Sequence, residues 1–307
     1  MPKVFIDGSA GTTGLRIHER LRAVGDITLI EITEAYRKDP AARADCMREA
    51  DAVFLCLPDA AAVEAVSLAD GPDTVVIDTS TAHRTAEGWT YGFPELFGMR
   101  EKIRQAKRIA NPGCHASGFI SLIEPLVRGG LLSRDAKLSC FSLTGYSGGG
   151  KSMIADYTDP AKTDSLQAPR MYGLNQMHKH LPEMVKVCGL TYAPVFCPIV
   201  SSYYAGMEVV AELPGSALHG GVSAVKECYA DYYHDGCVRF KGSCDENGFI
   251  SAGGLAGTDG MEISVYGNSE RVLLVSRFDN LGKGASGAAI QNMNLALGRP
   301  ELAGLIV

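Results

Sequence analysis

The chain has 307 residues, 46% of them hydrophobic and 21% charged, a balance that fits one large or two ordinary packed domains and excludes intrinsic disorder. Lys and Arg number 29 against 35 Asp and Glu, a net charge of −6, which argues against a globally basic nucleic-acid binder. The 35 glycines stand out; lacking a G-X-Y period they exclude collagen and point to tight turns and close backbone approaches.

In chain order, residues 3–6 form an apolar, β-branched run that stops at Asp7 and Gly8. Leu15, Ile17, Leu21 and Val24, set among charged neighbours, then predict a helix. Further apolar runs follow at 27–32, 52–57 and 74–77, the last two ending at Pro58 and Asp78. Short continuous apolar runs alternating with helical segments are the mark of buried parallel strands, so the first ~110 residues read as doubly wound. After about Cys114 the texture changes. Longer strand candidates at 138–143, 195–202, 206–213, 261–266 and 272–278, with few helices between them, predict a largely antiparallel second domain. An Ala-rich segment, 284–297, carries Ile290, Met293, Leu295 and Leu297 at roughly helical spacing.

No apolar stretch approaches the ~18 residues of a membrane span. The N-terminus shows neither a basic n-region nor a long apolar h-region, so no membrane and no secretion are expected, and the predicted compartment is cytoplasmic. Nine cysteines without a C-x-x-C pair fit neither a zinc ribbon nor a disulfide framework; most read as buried small hydrophobes under reducing conditions.

Gly8, Gly11 and Gly14 follow the first strand and open a helix. Glycines three apart at a strand-to-helix turn permit the bend and let backbone amides reach a pyrophosphate. As a pattern the spacing is weak, and a plain βα turn would also use it; its position strengthens the nucleotide reading. Gly8, Ser9, Gly11, Thr12, Thr13 and Gly14 are therefore candidate cofactor contacts. Glu31 and Glu34 stand where an acid would hold ribose hydroxyls, while Arg37 and Lys38 suit a 2′-phosphate. These residues leave NAD and NADP both open.

The second informative stretch is Asn111, Pro112, Gly113, Cys114, His115 and Ser117, with Gly118 beyond. Pro-Gly is turn chemistry and the next residues read as a helix, which puts Cys114 at a helix start, where the dipole favours a thiolate. Gly113 and Gly118 read as bracketing it. Acyl chemistry then needs an acid–base partner, and His178 and His180 are the candidates. On an extended segment the two would point the same way. Such a pair also suits a metal, but no further ligand stands at the right spacing, and no metal is predicted. His115, next to the cysteine in sequence, diverges from it and is the poorer base candidate.

Residues 78–84 sit at the end of the fourth strand, where ligands collect. Ser80 is a candidate cofactor contact there, and Arg84 suits a phosphate or carboxylate. The run from Gly145 to Ser152 formally matches a phosphate-binding loop, but it lies in the strand-rich half. A flexible loop placing Ser147 and Lys151 near an anionic substrate is the preferred reading.

Together these residues resemble the N-acetyl-γ-glutamyl-phosphate reductase family in its shorter form. The likeness spans nearly the whole chain: residues 8–14, 78–84, 91–96, 111–117, 146–151, 178–183 and 279–284. Pro-Gly-Cys114 combined with His178-x-His180-x-Pro-Glu183 is its specific part. The resemblance implies an α/β fold, with a Rossmann-type doubly wound sheet from 1–113 and 280–307. A mainly antiparallel α+β domain of semialdehyde-dehydrogenase type, 114–279, would supply catalysis and dimerisation. It implies Cys114 as nucleophile and His180, the choice within the pair, as proton carrier. Asn280, Lys283 and Gly284 would lie near the nicotinamide; Asn111, Arg84, Ser147, Lys151 and His178 would serve the substrate. It also implies NADP as cofactor, a small acyl-phosphate substrate, and a homo-oligomer, dimer or tetramer. The activity implied is NADPH-dependent reduction of the acyl phosphate through a cysteine thioester, in arginine biosynthesis. Sister enzymes of the same mechanism, aspartate-semialdehyde dehydrogenase or a lysine-pathway reductase, are the nearest alternative, and a non-catalytic nucleotide sensor is a second class.

Overall fold

The computed structural model describes all 307 residues. They fall into two compact units, Met1–Pro112 with Ala285–Leu305, and Gly113–Gly284 with Ile306–Val307. The first unit begins β1 (Lys3–Asp7), α1 (Thr12–Val24), β2 (Thr28–Ile30), α2 (Pro40–Glu49), β3 (Ala52–Leu55) and α3 (Asp59–Leu68). It continues through β4 (Val75–Asp78), β5 (Thr90–Tyr91), α4 (Met99–Gln105) and β6 (Arg108–Ala110). All pairings in its sheet are parallel, in the order β2-β1-β3-β4-β6-β5.

The continuous apolar runs have a simple cause. Val4, Ile6, Phe54, Ile77 and Ile109 pack on one side of the sheet, with Ile17 and Leu21 of α1. Phe5, Val53, Leu55 and Val76 pack on the other, with Met47 of α2 and Ala65 of α3. A strand covered on both faces loses its alternation. Leu15, expected on the buried stripe of α1, is 46% exposed, because two residues from Ile17 is more than half a helical turn. The second strand is also shorter than the 27–32 run suggested: β2 is an edge strand, and only Thr28–Ile30 finds partners on β1.

The second unit holds α5 (Cys114–Arg128), β7 (Ser139–Gly145), α6 (Gly150–Thr158), β8 (Arg170–Met171), α7 (Leu181–Cys188) and β9 (Val195–Ser201). Then come β10 (Met207–Pro214), α8 (Gly221–Tyr232), β11 (Val238–Phe240), β12 (Met261–Gly267) and β13 (Arg271–Phe278). Its sheet runs β11-β12-β13-β10-β7-β9-β8. Most pairs are antiparallel, but β7 with β9 and β11 with β12 are parallel, so the sheet is mixed. More helices interrupt it than expected, since α6, α7 and α8 are short and bury only narrow stripes such as Met184 with Cys188 and Val225 with Tyr229.

Helix α5 packs on β10 and β13. Gly118 makes that approach possible: a Cβ there would stand 2.3 Å from Val209 Cγ2 and 3.0 Å from Phe278 Cε1. It is a packing glycine one turn inside the helix and does not bracket the cysteine. After β13, a single π-helical turn, Gly282–Ser286, leads into α9 (Gly287–Ala296). Ala289, Ile290, Met293 and Leu295 of α9 join the core of the parallel sheet. No helix is long and apolar enough to cross a membrane.

Candidate active site

β1 has β2 on one side and β3 on the other, so the chain reverses its winding at this strand, and ligands of doubly wound sheets bind at such a point. The glycine loop stands there. Gly8 has φ +86°, and a Cβ on it would meet the Cys56 carbonyl oxygen. One on Gly14 would lie 2.5 Å from the Gly8 oxygen. Gly11 caps α1 with extended backbone, and no side chain takes up the amides of the first turn, which starts at Thr12 and Thr13. A dinucleotide's pyrophosphate fits this place: backbone packs against backbone where a Cβ would intrude, and helix-start amides are left for an anion. Downstream, Glu31 accepts from or pairs with His18 at 3.0 Å, and Arg37 pairs with Glu34 at 2.7 Å.

At the end of β4 the polar groups serve one another. Asp78, fully buried, accepts from the Ser80 amide at 2.9 Å, the Ser80 hydroxyl at 2.7 Å and His83 Nδ1 at 2.6 Å. His83 stacks on Trp89, centroids 4.1 Å apart. Arg84 donates to the carbonyls of Asn111 at 3.0 Å and Thr79 at 3.2 Å. The Asn111 amide donates to the Ala285 carbonyl and accepts from Asn292, both at 3.1 Å. Ser80, Arg84 and Asn111, expected at ligands, thus also brace the strand ends of their own unit.

The nucleophile candidate is better defined. Cys114 is the first residue of α5, after Gly113 in extended backbone with no side-chain cap. His180 is the N-cap residue of α7. The two helix starts are bolted together: Glu183, in the first turn of α7, accepts from the Gly113 amide at 3.2 Å. His178 and His180 are not on an extended segment as expected. They occupy a turn in which the His180 amide donates to His178 Nδ1 at 3.2 Å, leaving the rings 4.8 Å apart and nearly perpendicular. The pair meets all the same, because a turn folds i and i+2 together as an extended chain aligns them.

The turn after β13 presses on the cysteine from another side. Asp279 fixes that turn by accepting from the Leu281 amide at 2.8 Å and the Gly257 amide at 2.7 Å. It brings Gly284 so close that a Cβ there would be 2.9 Å from Cys114 Cβ. Asn280, almost wholly buried, accepts from the Gly206 amide at 2.9 Å and donates to Ser147 Oγ at 3.0 Å. Asn280 and Ser147, assigned to cofactor and substrate respectively, are therefore direct partners. The run from Gly145 is not a flexible loop: Tyr146–Gly149 is a 3-10 turn entering α6, Ser147 is buried, and Lys151 is exposed on the first turn of α6.

Four neighbours of the site have no role in the sequence reading: His115, Ser142, Tyr172 and Glu183. His115, passed over as a base, bonds Ser142 Oγ through Nδ1 at 2.6 Å and Tyr172 OH through Nε2 at 2.7 Å. Ser142 and Tyr172 carry no sequence signal; Glu183 lies in the quoted motif but had no role. No cysteine is in a disulfide, and no group of three or more His, Cys, Asp and Glu is arranged to hold a metal ion.

Known proteins fit this arrangement. The family described as semialdehyde dehydrogenase, NAD binding domain, matches residues 3–106, and the semialdehyde dehydrogenase, dimerisation domain, matches residues 114–280. The N-acetyl-γ-glutamyl-phosphate reductase 2 of Nostoc sp. is 43% identical, covering 99% of each chain. The N-acetyl-γ-glutamyl-phosphate reductase of Brucella suis is 46% identical, over 97% of this chain and 99% of its own. Among solved structures, a probable aspartate-semialdehyde dehydrogenase from Pseudomonas aeruginosa shares the fold with a TM-score of 0.71 at 15% identity, covering 97% of this chain and 99% of that one. The chain belongs to the semialdehyde dehydrogenase family and, within it, to the N-acetyl-γ-glutamyl-phosphate reductases.

Proposed function

We propose that this oxidoreductase reduces N-acetyl-γ-glutamyl phosphate to N-acetylglutamate 5-semialdehyde with NADPH, releasing phosphate, as a step of arginine biosynthesis. One observation carries the mechanism: Cys114 heads α5 while Glu183 ties that helix start to the turn bearing His178 and His180. The start of α5 favours the Cys114 thiolate. Its sulfur bonds to the acyl carbon as the carbon–oxygen bond to phosphate breaks, and phosphate leaves with that electron pair. A nicotinamide cofactor held at the Gly8–Gly14 loop would supply the hydride that takes the thioester carbon to the aldehyde level. His180 gives a proton to the resulting oxyanion and takes it back as the carbonyl re-forms, the carbon–sulfur bond breaks and the thiolate returns. Gly284, against Cys114, keeps the nucleophile in one place.

For the cofactor, Gly8 to Gly14 would receive the pyrophosphate. Glu31 is engaged by His18 and Arg37 by Glu34, so the preference for NADPH over NADH rests on the family resemblance, with Lys38 beside them for the 2′-phosphate. Ser147 and Asn280 form one polar pair beside the substrate, with His178, and Lys151 lends positive charge at the start of α6. A homo-oligomer, dimer or tetramer, fits the dimerisation-domain match and the exposed Phe141, Val195 and Leu273 on the second sheet; light scattering after gel filtration tests it. The activity itself is tested with phosphate-dependent reduction of NADP+ and NAD+ against a panel of semialdehydes. N-acetylglutamate 5-semialdehyde with NADP+ is expected to give the highest kcat/KM. Preference for aspartate semialdehyde would overturn the substrate reading.

A further inference from the structure

His115 follows the nucleophile in α5 and is 3% exposed. Its ring lies 5.5 Å from that of His178 and 5.6 Å from that of His180, which are themselves 4.8 Å apart. Phe196 of β9 closes the group, 5.4 Å from His115 and 5.1 Å from His178. Three imidazoles this close, His115 and His180 buried and His178 partly exposed, cannot all be cations, so their partners decide where a proton rests.

For His115 the partners are two hydroxyls, Ser142 at Nδ1 and Tyr172 at Nε2. A neutral imidazole has one donor and one acceptor nitrogen, and a hydroxyl can answer either. The chain can run from Ser142 to Tyr172 or back, exchanging the tautomer without creating charge. An imidazolium would need both hydroxyls as acceptors and would find no carboxylate among its bonded partners. Burial accordingly pushes His115 down to about 3, with His178 adding to the effect. Burial, and secondarily the charge of Cys114, raises Tyr172 above its ordinary value, so the phenol also stays neutral. The titratable groups around His115 are Cys114 on its own helix, Tyr172, His178 and His180 between β8 and α7, and Glu183, which is engaged with the Gly113 amide. From β7 and β9 the contacts are Ser142 and Phe196, which do not titrate, and Cys140, on the Ser142 face of β7, is kept a neutral thiol by burial.

We propose that His115 is a positioning residue of this site: the Ser142–His115–Tyr172 chain holds a neutral imidazole against His178 and His180, so that the proton moved as the thioester is reduced resides on that pair alone. The proposal rests on the reading of Cys114 and the His178/His180 pair given above. It assigns His115 no contact with substrate. What it supplies is an uncharged wall that fixes the orientation of the two rings and withholds a third proton site.

The test compares His115→Gln, which keeps a neutral donor and acceptor, with His115→Ala, which removes both, in the full-length enzyme. Imidazole nitrogen NMR is expected to show one histidine, assigned by its loss in both variants, with neutral shifts from about pH 5 to 9, while a histidine of the pair titrates. His115→Ala is expected to lower kcat at least about tenfold while KM for the acyl phosphate moves less than about threefold. Water admitted beside the pair stabilises its cation, so the basic limb of the kcat profile, set by loss of the proton His180 donates, moves to higher pH. His115→Gln is expected to restore kcat to within about threefold and return the limb. Titration of His115 between about pH 5 and 8, or a Gln variant as impaired as the Ala variant, would overturn the proposal. If the Ala variant does not fold, the NMR titration and the Gln variant decide. Should Cys114→Ala keep reductase activity, the acyl-transfer reading falls instead, and the NMR result on His115 is unaffected.

Discussion

Helices α1 and α5 begin in the same way. Each follows a glycine in extended backbone, Gly11 at φ −72° and ψ 165°, Gly113 at φ −76° and ψ 145°, and neither start is capped by a side chain. They differ in what occupies the first turn. At α1 the place is defined by missing side chains, with Gly8 and Gly14 packed so closely that a Cβ would strike backbone oxygens. At α5 the first residue carries a thiol, and Glu183 and Gly284 fix its surroundings from distant parts of the chain. One backbone device, a helix start without a side-chain cap from its own N-cap residue, thus serves an anion in one region and a nucleophile in the other.

The comparison breaks most sharply at Cys114. Cys114→Ala is expected to lower kcat by about 10⁴-fold or more, while NADPH binding, read by cofactor fluorescence, stays within about threefold of wild type because the α1 start is untouched. Residual activity near wild type would mean that α5 works through its amides, as α1 does. Next in size is the pair. His180→Asn is expected to cost about 10²–10⁴ in kcat and His178→Asn less, since His180 is assigned the proton and His178 the substrate; the reverse order would exchange the roles. The glycine loop gives the third effect. Gly8→Ala combines a positive φ with a clash on the Cys56 carbonyl and is expected to destabilise by about 1–3 kcal/mol. It should also raise the NADPH KM while leaving the alkylation rate of Cys114 unchanged.

The two regions also differ in how far the sequence discloses them. The α1 start is legible because everything it needs is local: a strand, three glycines within seven residues, and a helix. Continuous apolar runs likewise disclosed the parallel sheet, since strands covered on both faces have no other way to read. The α5 start was half legible. Pro-Gly before Cys114 and the two histidines identified the chemistry, but the contacts that assemble it span long separations, Gly113 to Glu183 and Cys114 to Gly284. Nothing in the residues around Ser142 or Tyr172 points to His115; that meeting depends on β7 and the segment after β8 passing the second residue of α5. The glycines of residues 145–150 misled for a related reason. Their abundance suggested flexibility, whereas a Cβ on Gly145 would stand 2.5 Å from the Tyr204 carbonyl oxygen and one on Gly149 2.5 Å from Met153 Sδ, as a tightly wound turn requires.

The smallest expected effect concerns stability, and it follows from the same asymmetry. His115 is held neutral in the folded chain, down to about 3, whereas an unfolded histidine takes a proton near its ordinary value. Below that ordinary value the unfolded state binds the extra proton and the folded state does not, so this residue's contribution falls as pH drops and is regained as pH rises. Between about pH 7.5 and 5.5 the loss amounts to about 1.4 kcal/mol. Urea unfolding of the wild type and of His115→Gln at both pH values isolates it, because the other histidines are common to the two proteins. The wild type is expected to lose about 1.4 kcal/mol more than the variant over that interval. Equal losses would mean that His115 takes up a proton in the folded state, and that its hydroxyl partners do not keep it neutral. Beside the α1 start the buried titratable group is instead Asp7, held by Arg43 at 2.6 Å and raised by burial, so its contribution falls as pH rises through the carboxylate range, the opposite sign to that of His115.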